Sequence, residues 1–478
     1  MSRDIVELEA GVFGFEDVSM RVPARLFTSR ELLDDLHAAE TSAWSSLDQL
    51  SNVAQLPGVV GHVCGLADLH PGYGFPVGGV AAFDAVDGLV MVGGVGFDVN
   101  CGVRVLRTDL FERDVRERQD ALAQALFAGV PAGLGVPGML RVELSQMDDL
   151  LRGGARFVVE RGFGTEHDLS FIEDNGALDA DPATVSTRAK QRNIKQVGSL
   201  GSGNHYLEVQ FVDEVFDEAA ARAFGLERGQ VVVSIHCGSR GLGHQVGQDY
   251  LDEMSEAMAG FGVPLLESEL VGAPIGSELG ARYFDAVRAA SNAAFANRQM
   301  IAHLTRTVLA DVFSGSSVET LYEVGHNTAK RESHVVGGVR RDLIVHRKGS
   351  TRAFGPGHSA LPAAYRGVGQ PIPVGGTMGT SSYLLRATDR AMALSFGSAI
   401  HGAGRSKSRV ESKRSFDAQT VIDELRALGI VVKGHSLKGI SEEAPGSYKD
   451  IERVIAATTL SGISERVVRL KPLISIKG

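Results

Sequence analysis

The chain has 478 residues, 44% hydrophobic and 22% charged, the balance of an ordinary folded protein rather than a disordered or low-complexity one. Its formal net charge of −10 argues against broad, non-specific polyanion binding driven by counterion release. Its three cysteines, Cys64, Cys101 and Cys237, form no CxxC spacing or paired framework, which points to a reducing compartment.

In chain order, the first residues lack a basic segment followed by an apolar one, and no later run reaches the length of a membrane span, so a cytoplasmic protein is expected. Thr28 or Ser29 can cap a first helix whose Leu32, Leu33 and Leu36 share one face. From about 58 to 106 short apolar runs alternate with glycine, a pattern of buried strands and tight turns. Helical spacing returns between 112 and 162, broken by the PAGLGVPG loop. The longest helical pattern, 277–313, fits one long helix or two stacked ones. A strand-rich stretch follows from about 318 to 400, and the tail reads helix, strand, helix before the closing RLKPLISIKG. With no internal repeat and no linker rich in Pro and Ser, residues 1–478 read as a single α+β unit.

The 58 glycines are more than the roughly 7% of ordinary usage, and histidines recur at glycine-rich turns: GSLGSGNHYLEV (198–209), VVVSIHCGSRGLGHQ (231–245), EVGHNTAK (323–330) and SFGSAIHGAGRSKSR (395–409). With GVGFDVNCGVR (94–104), these segments offer Asp98, Cys101, His205, His236 and His326 as metal ligands and His401 as a nucleophile. Glycine lets backbone N–H groups approach an anion, and imidazole, thiolate and carboxylate are usual ligands of divalent ions. Taken alone, Asp98 and Cys101 read as a turn aspartate and a buried thiol; three further glycine-flanked histidines shift the reading toward ligation. Nitrogen and sulfur donors favour zinc, while the aspartate and open water positions also admit manganese. Neither VGGTMGTSSY (374–383) nor RKGSTRAFGPG (347–357) matches a Walker A or dinucleotide fingerprint. Three basic strips, 188–195, 338–352 and 404–414, read as solvated faces unless a site lies beside them.

Along nearly the whole chain, the ordered motifs MRVPARLF, HPGYGFPVGGVAAF, GVGFDVNCGVR, GSLGSGNHYLEVQ, SRGLGHQ, ANRQMIAH, GHNTAK, HRKGSTRAFGPG, MGTSSY, HGAGR, EEAPGSYKD and the terminal IKG resemble the RtcB-type, GTP-dependent RNA ligases that also serve in tRNA splicing. The resemblance implies an RtcB-like fold with mixed β-sheets flanked by helices around a central metal cleft. It also implies two manganese ions, one on Asp98, Cys101 and His205 and the other on Cys101, His236 and His326, so that Cys101 bridges. By the same likeness His401 is the guanylylated residue, and Asp68 and Arg240 align with residues tied to catalysis. The GTP-contacting positions fall on Asn204, His205, Tyr206, Leu207, Glu208, His326, Asn327, Gly375, Gly376, Thr377, Met378, Ser382, His401, Gly402, Ala403, Gly404, Tyr448 and Lys477, with Glu208 as the carboxylate expected to read guanine and Tyr448 beside it. RNA ends are the implied substrate, with Arg240, Arg405, Lys407 and Arg409 as candidates for the positive lining of their path. An archease-type activating protein is a further partner the likeness raises, and it leaves the oligomeric state open.

Three positions depart from the family pattern: GGTMG (375–379) where many members read PGSMG, HCGSRG with Cys237 where serine is usual, and KGHSLKG (433–439) in place of a more arginine-rich version. None removes an expected ligand or nucleophile. Two other readings use the same residues: a binuclear metallophosphoesterase or nuclease with water as nucleophile, and a non-catalytic RNA-binding relative.

Overall fold

The structure is a computed structural model that describes residues 4–39, 45–133 and 135–478. Residues 1–3 of the opening segment, Glu40 at the end of the first helical pattern and Leu134 of the PAGLGVPG loop lie outside the described residues.

Two large mixed sheets organise the α+β architecture. The seven-stranded sheet runs, in spatial order, Val6–Glu9, Val12–Phe15, Ala24–Phe27, Val59–His70, Val77–Asp84, Val339–Lys348 and Asn327–Val336. The eight-stranded sheet places Val318–Gly325, Gly102–Phe111, Gln230–Cys237, Tyr206–Val215, Ser464–Lys477, Ser382–Ala387 and Pro371–Val374 side by side, with Val431–Gly434 pairing parallel to Ser464–Lys477. Most ladders are antiparallel; Ala24–Phe27 pairs parallel to Val59–His70. Strand Ser464–Lys477 is interior to its sheet yet contains Pro472, which donates no N–H. A register shift between Pro472 and Ile474 accommodates it.

The pattern at 277–313 is one helix, Glu278–Val312, started by Ser277, whose side chain accepts from the N–H of Gly280. Its middle is buried on nearly every side, as its alanine-rich sequence allows, and it packs against helices Gln119–Gly129, Met147–Gly153, Ala155–Val159 and Arg240–Ala257. The first expected helix is Arg30–Ala39; the Ser29 hydroxyl accepts from the N–H of Leu32 at 3.3 Å, and Leu32, Leu33 and Leu36 are buried. Within the stretch read as strands, Val92–Val95 is instead a single helical turn. Gly94 sits there against the His346 ring, where a Cβ would meet ring carbon at 2.8 Å, so glycine serves close packing rather than strand pairing. Among the described residues, no helix is long and apolar enough to cross a membrane.

Candidate metal and nucleotide centre

Strand register gathers the ligand candidates at one end of the eight-stranded sheet. Gly102 pairs with both Cys237 and Gly325, while Val103 and Tyr206 both face His236. Cys101, His205, His236 and His326, each within one residue of a strand end, therefore converge although they lie far apart in sequence. A tight turn adds Asp98: the N–H of Cys101 donates to the Asp98 carbonyl at 3.0 Å, with Asn100 held at a φ of 52°. Left-handed backbone at a non-glycine residue costs free energy and persists where its surroundings enforce it. Here Asn100 is fully buried, and its side-chain amide donates to the Ser291 carbonyl at 3.1 Å. Gly238 permits the approach of Asp98, since a Cβ there would lie 2.2 Å from the carboxylate.

The donor atoms form two triads that share one sulfur. Cys101 Sγ lies 3.4 Å from His205 Nε2 and 3.2 Å from His236 Nε2; His205 Nε2 is 2.8 Å from Asp98 Oδ2, and His236 Nε2 is 3.2 Å from His326 Nε2. Asp98, Cys101 and His205 make one group able to hold an ion, and Cys101, His236 and His326 the other. Behind them, His205 Nδ1 contacts the Leu200 carbonyl at 2.9 Å and His236 Nδ1 the Asn204 carbonyl at 3.2 Å. Those bonds orient both rings with Nε2 toward the shared sulfur. Burial lowers His205, but Cys101, Cys237 and Asp98 outweigh it and hold that ring well above the usual histidine range, so a cation bound there takes the place of the Nε2 proton. Burial, reinforced by neighbouring imidazoles, holds His236 and His326 well below the usual histidine range, so both are neutral donors. Burial also pushes the Cys101 thiol up to about 12. A divalent cation against the sulfur reverses that penalty by stabilising thiolate. Oxygen, sulfur and nitrogen donors with buried neutral imidazoles thus fit a pair of divalent ions bridged by one thiolate.

A fully buried ion network fixes these turns from behind. Arg298, on the long helix, donates through Nη1 to the carbonyls of Asn100 and Cys237, both at 2.7 Å, and through Nε to Glu323 at 2.8 Å. Glu323 also receives Arg104, on the strand that follows Cys101. One guanidinium therefore grips the backbone just before Cys101 and just after His236.

Across the cavity, His401 follows strand Ser398–Ile400. Its Nδ1 is 2.7 Å from Asp68 Oδ2, which also accepts the His401 backbone N–H at 3.1 Å. The buried carboxylate fixes the ring with Nε2 unencumbered, and the ring centroid lies 4.7 Å from that of His326. Gly404, at a φ of 75°, brings its backbone against the Asp68 carbonyl, where a Cβ would clash at 2.4 Å.

A cavity of about 300 Å³ joins these parts. Its wall includes Asp98, Cys101, His236 and His326 and, among the expected nucleotide contacts, Asn204, Tyr206, Glu208, Asn327, Gly375, Gly376, Thr377, Met378, His401, Gly402, Ala403, Gly404, Tyr448 and Lys477. Five of the expected metal, nucleotide and catalytic residues stand off the wall, and of the basic residues expected along the RNA path Arg405 and Arg409 line it while Lys407 does not. His205 and Asp68 sit behind Cys101 and His401 as described, and Leu207 points into the apolar core, opposite Tyr206 and Glu208, as strand alternation requires. Ser382 braces the wall, its hydroxyl accepting from Gly376 N at 3.1 Å and Gln210 Nε2 at 3.0 Å. Arg240, at a φ of 58°, bonds the Ser199 hydroxyl and the Gly133 carbonyl at 3.4 Å each. Glu208 accepts from the Ser475 hydroxyl and Gln210 Nε2, each at 3.0 Å, and burial pushes its carboxyl up to about 7. Lys477 lies over the Tyr206 ring, its ammonium lowered by burial. Tyr448 hydrogen-bonds Glu443 and stacks under Arg405, which also reaches Glu443 at 3.3 Å.

The wall also contains residues that sequence reasoning gave no role. His70 contacts the Asp68 carbonyl through Nδ1 at 2.9 Å, and burial lowers it to about 4. Lys348 donates to the carbonyls of Tyr73 and Phe75, both at 2.8 Å, and burial lowers it to about 7. Both belong to quoted motifs, HPGYGF and HRKGS, so the signal was in the text without a role. At the departures, the Thr377 N–H and hydroxyl bond the Thr380 hydroxyl at 2.8 and 2.9 Å, bracing the turn that lacks proline. Cys237 is not a ligand; its thiol donates to the Leu200 carbonyl and accepts from Asn297 Nδ2 at 3.0 Å.

A family model described as tRNA-splicing ligase RtcB matches residues 49–478. The chain belongs to the RtcB family. The tRNA-splicing ligase RtcB of Thermococcus kodakarensis is 47% identical over 467 residues, covering 97% of this chain and 96% of that protein. Those of Methanococcus maripaludis and Archaeoglobus fulgidus are 45% and 46% identical over 464 residues each, covering 96% of this chain and 95% of each relative. The long helix, the eight-stranded sheet and every RtcB-like site residue named above fall inside residues 49–478; strands Val6–Glu9, Val12–Phe15 and Ala24–Phe27 of the other sheet precede that span.

Proposed function

We propose that this RtcB-family chain is an RNA ligase that joins an RNA 2′,3′-cyclic phosphate or 3′-phosphate end to a 5′-hydroxyl end, using GTP and manganese, in tRNA splicing or RNA repair. The observation that carries the reading is a histidine, His401, oriented by a buried carboxylate on the wall of the cavity that also holds two thiolate-sharing ligand triads. Residues 1–478 act in it as one catalytic unit.

Water first opens the cyclic phosphate at the bond to O2′, leaving a 3′-phosphate. His401 Nε2 then attacks the α-phosphorus of GTP; the N–P bond forms, the bond to the bridging oxygen breaks, and pyrophosphate leaves. Asp68 keeps the ring proton on Nδ1 and offsets the positive charge the imidazole gains. An oxygen of the RNA 3′-phosphate takes the GMP from His401, and the 5′-hydroxyl of the second strand attacks the activated RNA phosphorus, sealing the strand and expelling GMP. Two manganese ions, held by Asp98, Cys101 and His205 and by Cys101, His236 and His326, would supply charge neutralisation on the phosphate oxygens. Glu208 pairs with the N–H edge of guanine, Tyr448 packs against the base, and Lys477 neutralises negative charge beside it. The glycine turns at 375–376 and 402–404 bring backbone N–H groups to the phosphates.

The test is incubation with manganese and GTP labelled at the α-phosphate, beside His401→Ala. An acid-labile, alkali-stable label on the protein that disappears in the variant is expected. Absence of label, with cleavage of a phosphodiester by the same preparation, would replace this reading with a metallophosphoesterase that uses water as nucleophile.

A further inference from the structure

The hairpin formed by strands Asn327–Val336 and Val339–Lys348 has its open end at the active cavity, where Asn327 and Lys348 pair with each other and both line the wall. Residues 329–333 and Arg340 of the same hairpin line a different space, a groove of about 440 Å³ bounded also by Phe284 and Arg288 of the long helix and by the loop at 358–360. In a chain of net charge −10, this groove carries five cations against two carboxylates, Asp174 and Glu332. Lys330 and Arg352 are neutralised inside the protein by Glu173 and Asp174 at 2.5 to 3.1 Å, Arg288 pairs with Asp285 at 3.0 Å, and Glu332 is taken by Arg347 at 2.6 Å. Arg331 and Arg340 join none of these pairs and are exposed. The strip at 338–352 thus splits in two: His346, Arg347, Lys348 and Arg352 are buried, while Arg340 and Arg341 face outward.

We propose that this groove, through Arg331 and Arg340, binds the sugar–phosphate backbone of the RNA away from the ends being joined. The inference rests on the RNA-ligase reading. A cavity of about 300 Å³ has room for a nucleotide and a strand end, not for the body of an RNA, which must cross the surface. Arg340 lies eight residues along its strand from Lys348, about 26 Å at the usual rise, so one hairpin, buried over 343–348, fixes the distance between the active cavity and the groove. Exposed guanidiniums without internal carboxylate partners are suited to phosphate, which they contact in a forked geometry without reading sequence. Ser333 and Ser359 add hydroxyls to the same lining.

The experiment compares the full-length protein with Arg331→Ala/Arg340→Ala, and with Arg340→Glu alone, because Arg331 also donates to the Ala85 carbonyl at 3.3 Å and its loss perturbs local structure. Ligation is measured on a pair of long structured RNA fragments and on a pair of oligonucleotides too short to leave the cavity mouth, with covalent GMP labelling as a control. The double variant is expected to raise KM for long RNA about tenfold and to reduce the salt dependence of that KM by about one contact per arginine. Short-substrate ligation and labelling stay at the wild-type level. An unchanged KM and salt slope on long RNA overturn the groove, as does an equal loss on short and long substrates in both variants. Wild-type protein that joins neither substrate overturns the ligase reading instead.

Discussion

In the proposed function, selection of guanine by Glu208 is tied to its protonation, and the sign can be worked from its surroundings. Burial holds the carboxyl at about 7, well above an exposed glutamate, with Lys477 pulling the other way. Only the ionised form offers two acceptors to the N–H groups of guanine. About nine-tenths of the site is competent at pH 8 and about one-tenth at pH 6, and apparent affinity falls in proportion to the competent fraction, about tenfold or about 1.4 kcal/mol. Nucleotide binding therefore strengthens as the pH rises through 7. The contribution to folding runs oppositely: the folded chain binds more protons than the unfolded one between about 4.5 and 7, so burial of Glu208 costs stability as pH rises through that window. The assay is the ratio of covalent labelling by GTP to labelling by ATP, at subsaturating nucleotide, from pH 6 to 8. Protonation of His401 or of the metal ligands affects both nucleotides alike and cancels in the ratio. Wild type should show the ratio rising about tenfold. In Glu208→Gln the ratio should be flat and close to unity, since two hydrogen bonds to a charged acceptor, each about 1.5–3 kcal/mol, are replaced by one neutral acceptor and one misplaced donor. A wild-type ratio that does not change with pH, or a Gln variant with the same profile, would refute the assignment.

Three further outcomes are expected. Cys101→Ala should lose both metal ions together, read as manganese per chain by elemental analysis, because its sulfur is within 3.4 Å of donors from both triads; retention of full stoichiometry would disprove the bridge. Asp68→Asn should slow guanylylation at least tenfold, about 1.5 kcal/mol for exchanging a charged acceptor for a neutral one, with GTP affinity unchanged; wild-type single-turnover rates would deny Asp68 its part in orienting His401. Arg298→Lys should fold but weaken metal binding about 10- to 100-fold in a chelator competition, as loss of support behind a ligand does, since an ammonium cannot hold Asn100, Cys237 and Glu323 at once. Arg298→Met should in addition lower denaturation resistance by about 3–5 kcal/mol, the cost of stranding a buried partner charge; a normal metal affinity in both variants would restrict Arg298 to the core.

The candidate ligand set was legible because its members sit in glycine-flanked segments, Asp98 and Cys101 sharing one and each histidine having its own, a local signal that survives without knowledge of the fold. The pairing of Asp68 with His401 was not, since the two are 333 positions apart and an aspartate in an apolar strand has no spacing to announce a partner; its role came from resemblance alone. Residues 277–313 contain no proline and no glycine after Gly280, so continuity of the helix agreed with the text, but only its buried neighbours decide between one rod and two. Charge runs were least informative. Positions 346–348 look solvated in sequence, yet strand pairing in the middle of a sheet buries all three, and the two arginines that remain outside are distinguished only by the register of the hairpin.

The candidate coordinating atoms come from positions 98, 101, 205, 236 and 326, so no short segment of the chain brings them together and unfolding that separates these segments scatters them. An ion that binds only the assembled form adds about 2.7 kcal/mol to the unfolding free energy at a hundredfold excess over its dissociation constant. Supply of that ion would thereby set how long each copy escapes proteolysis as well as how fast it turns over. Starvation for the metal would then deplete the protein itself.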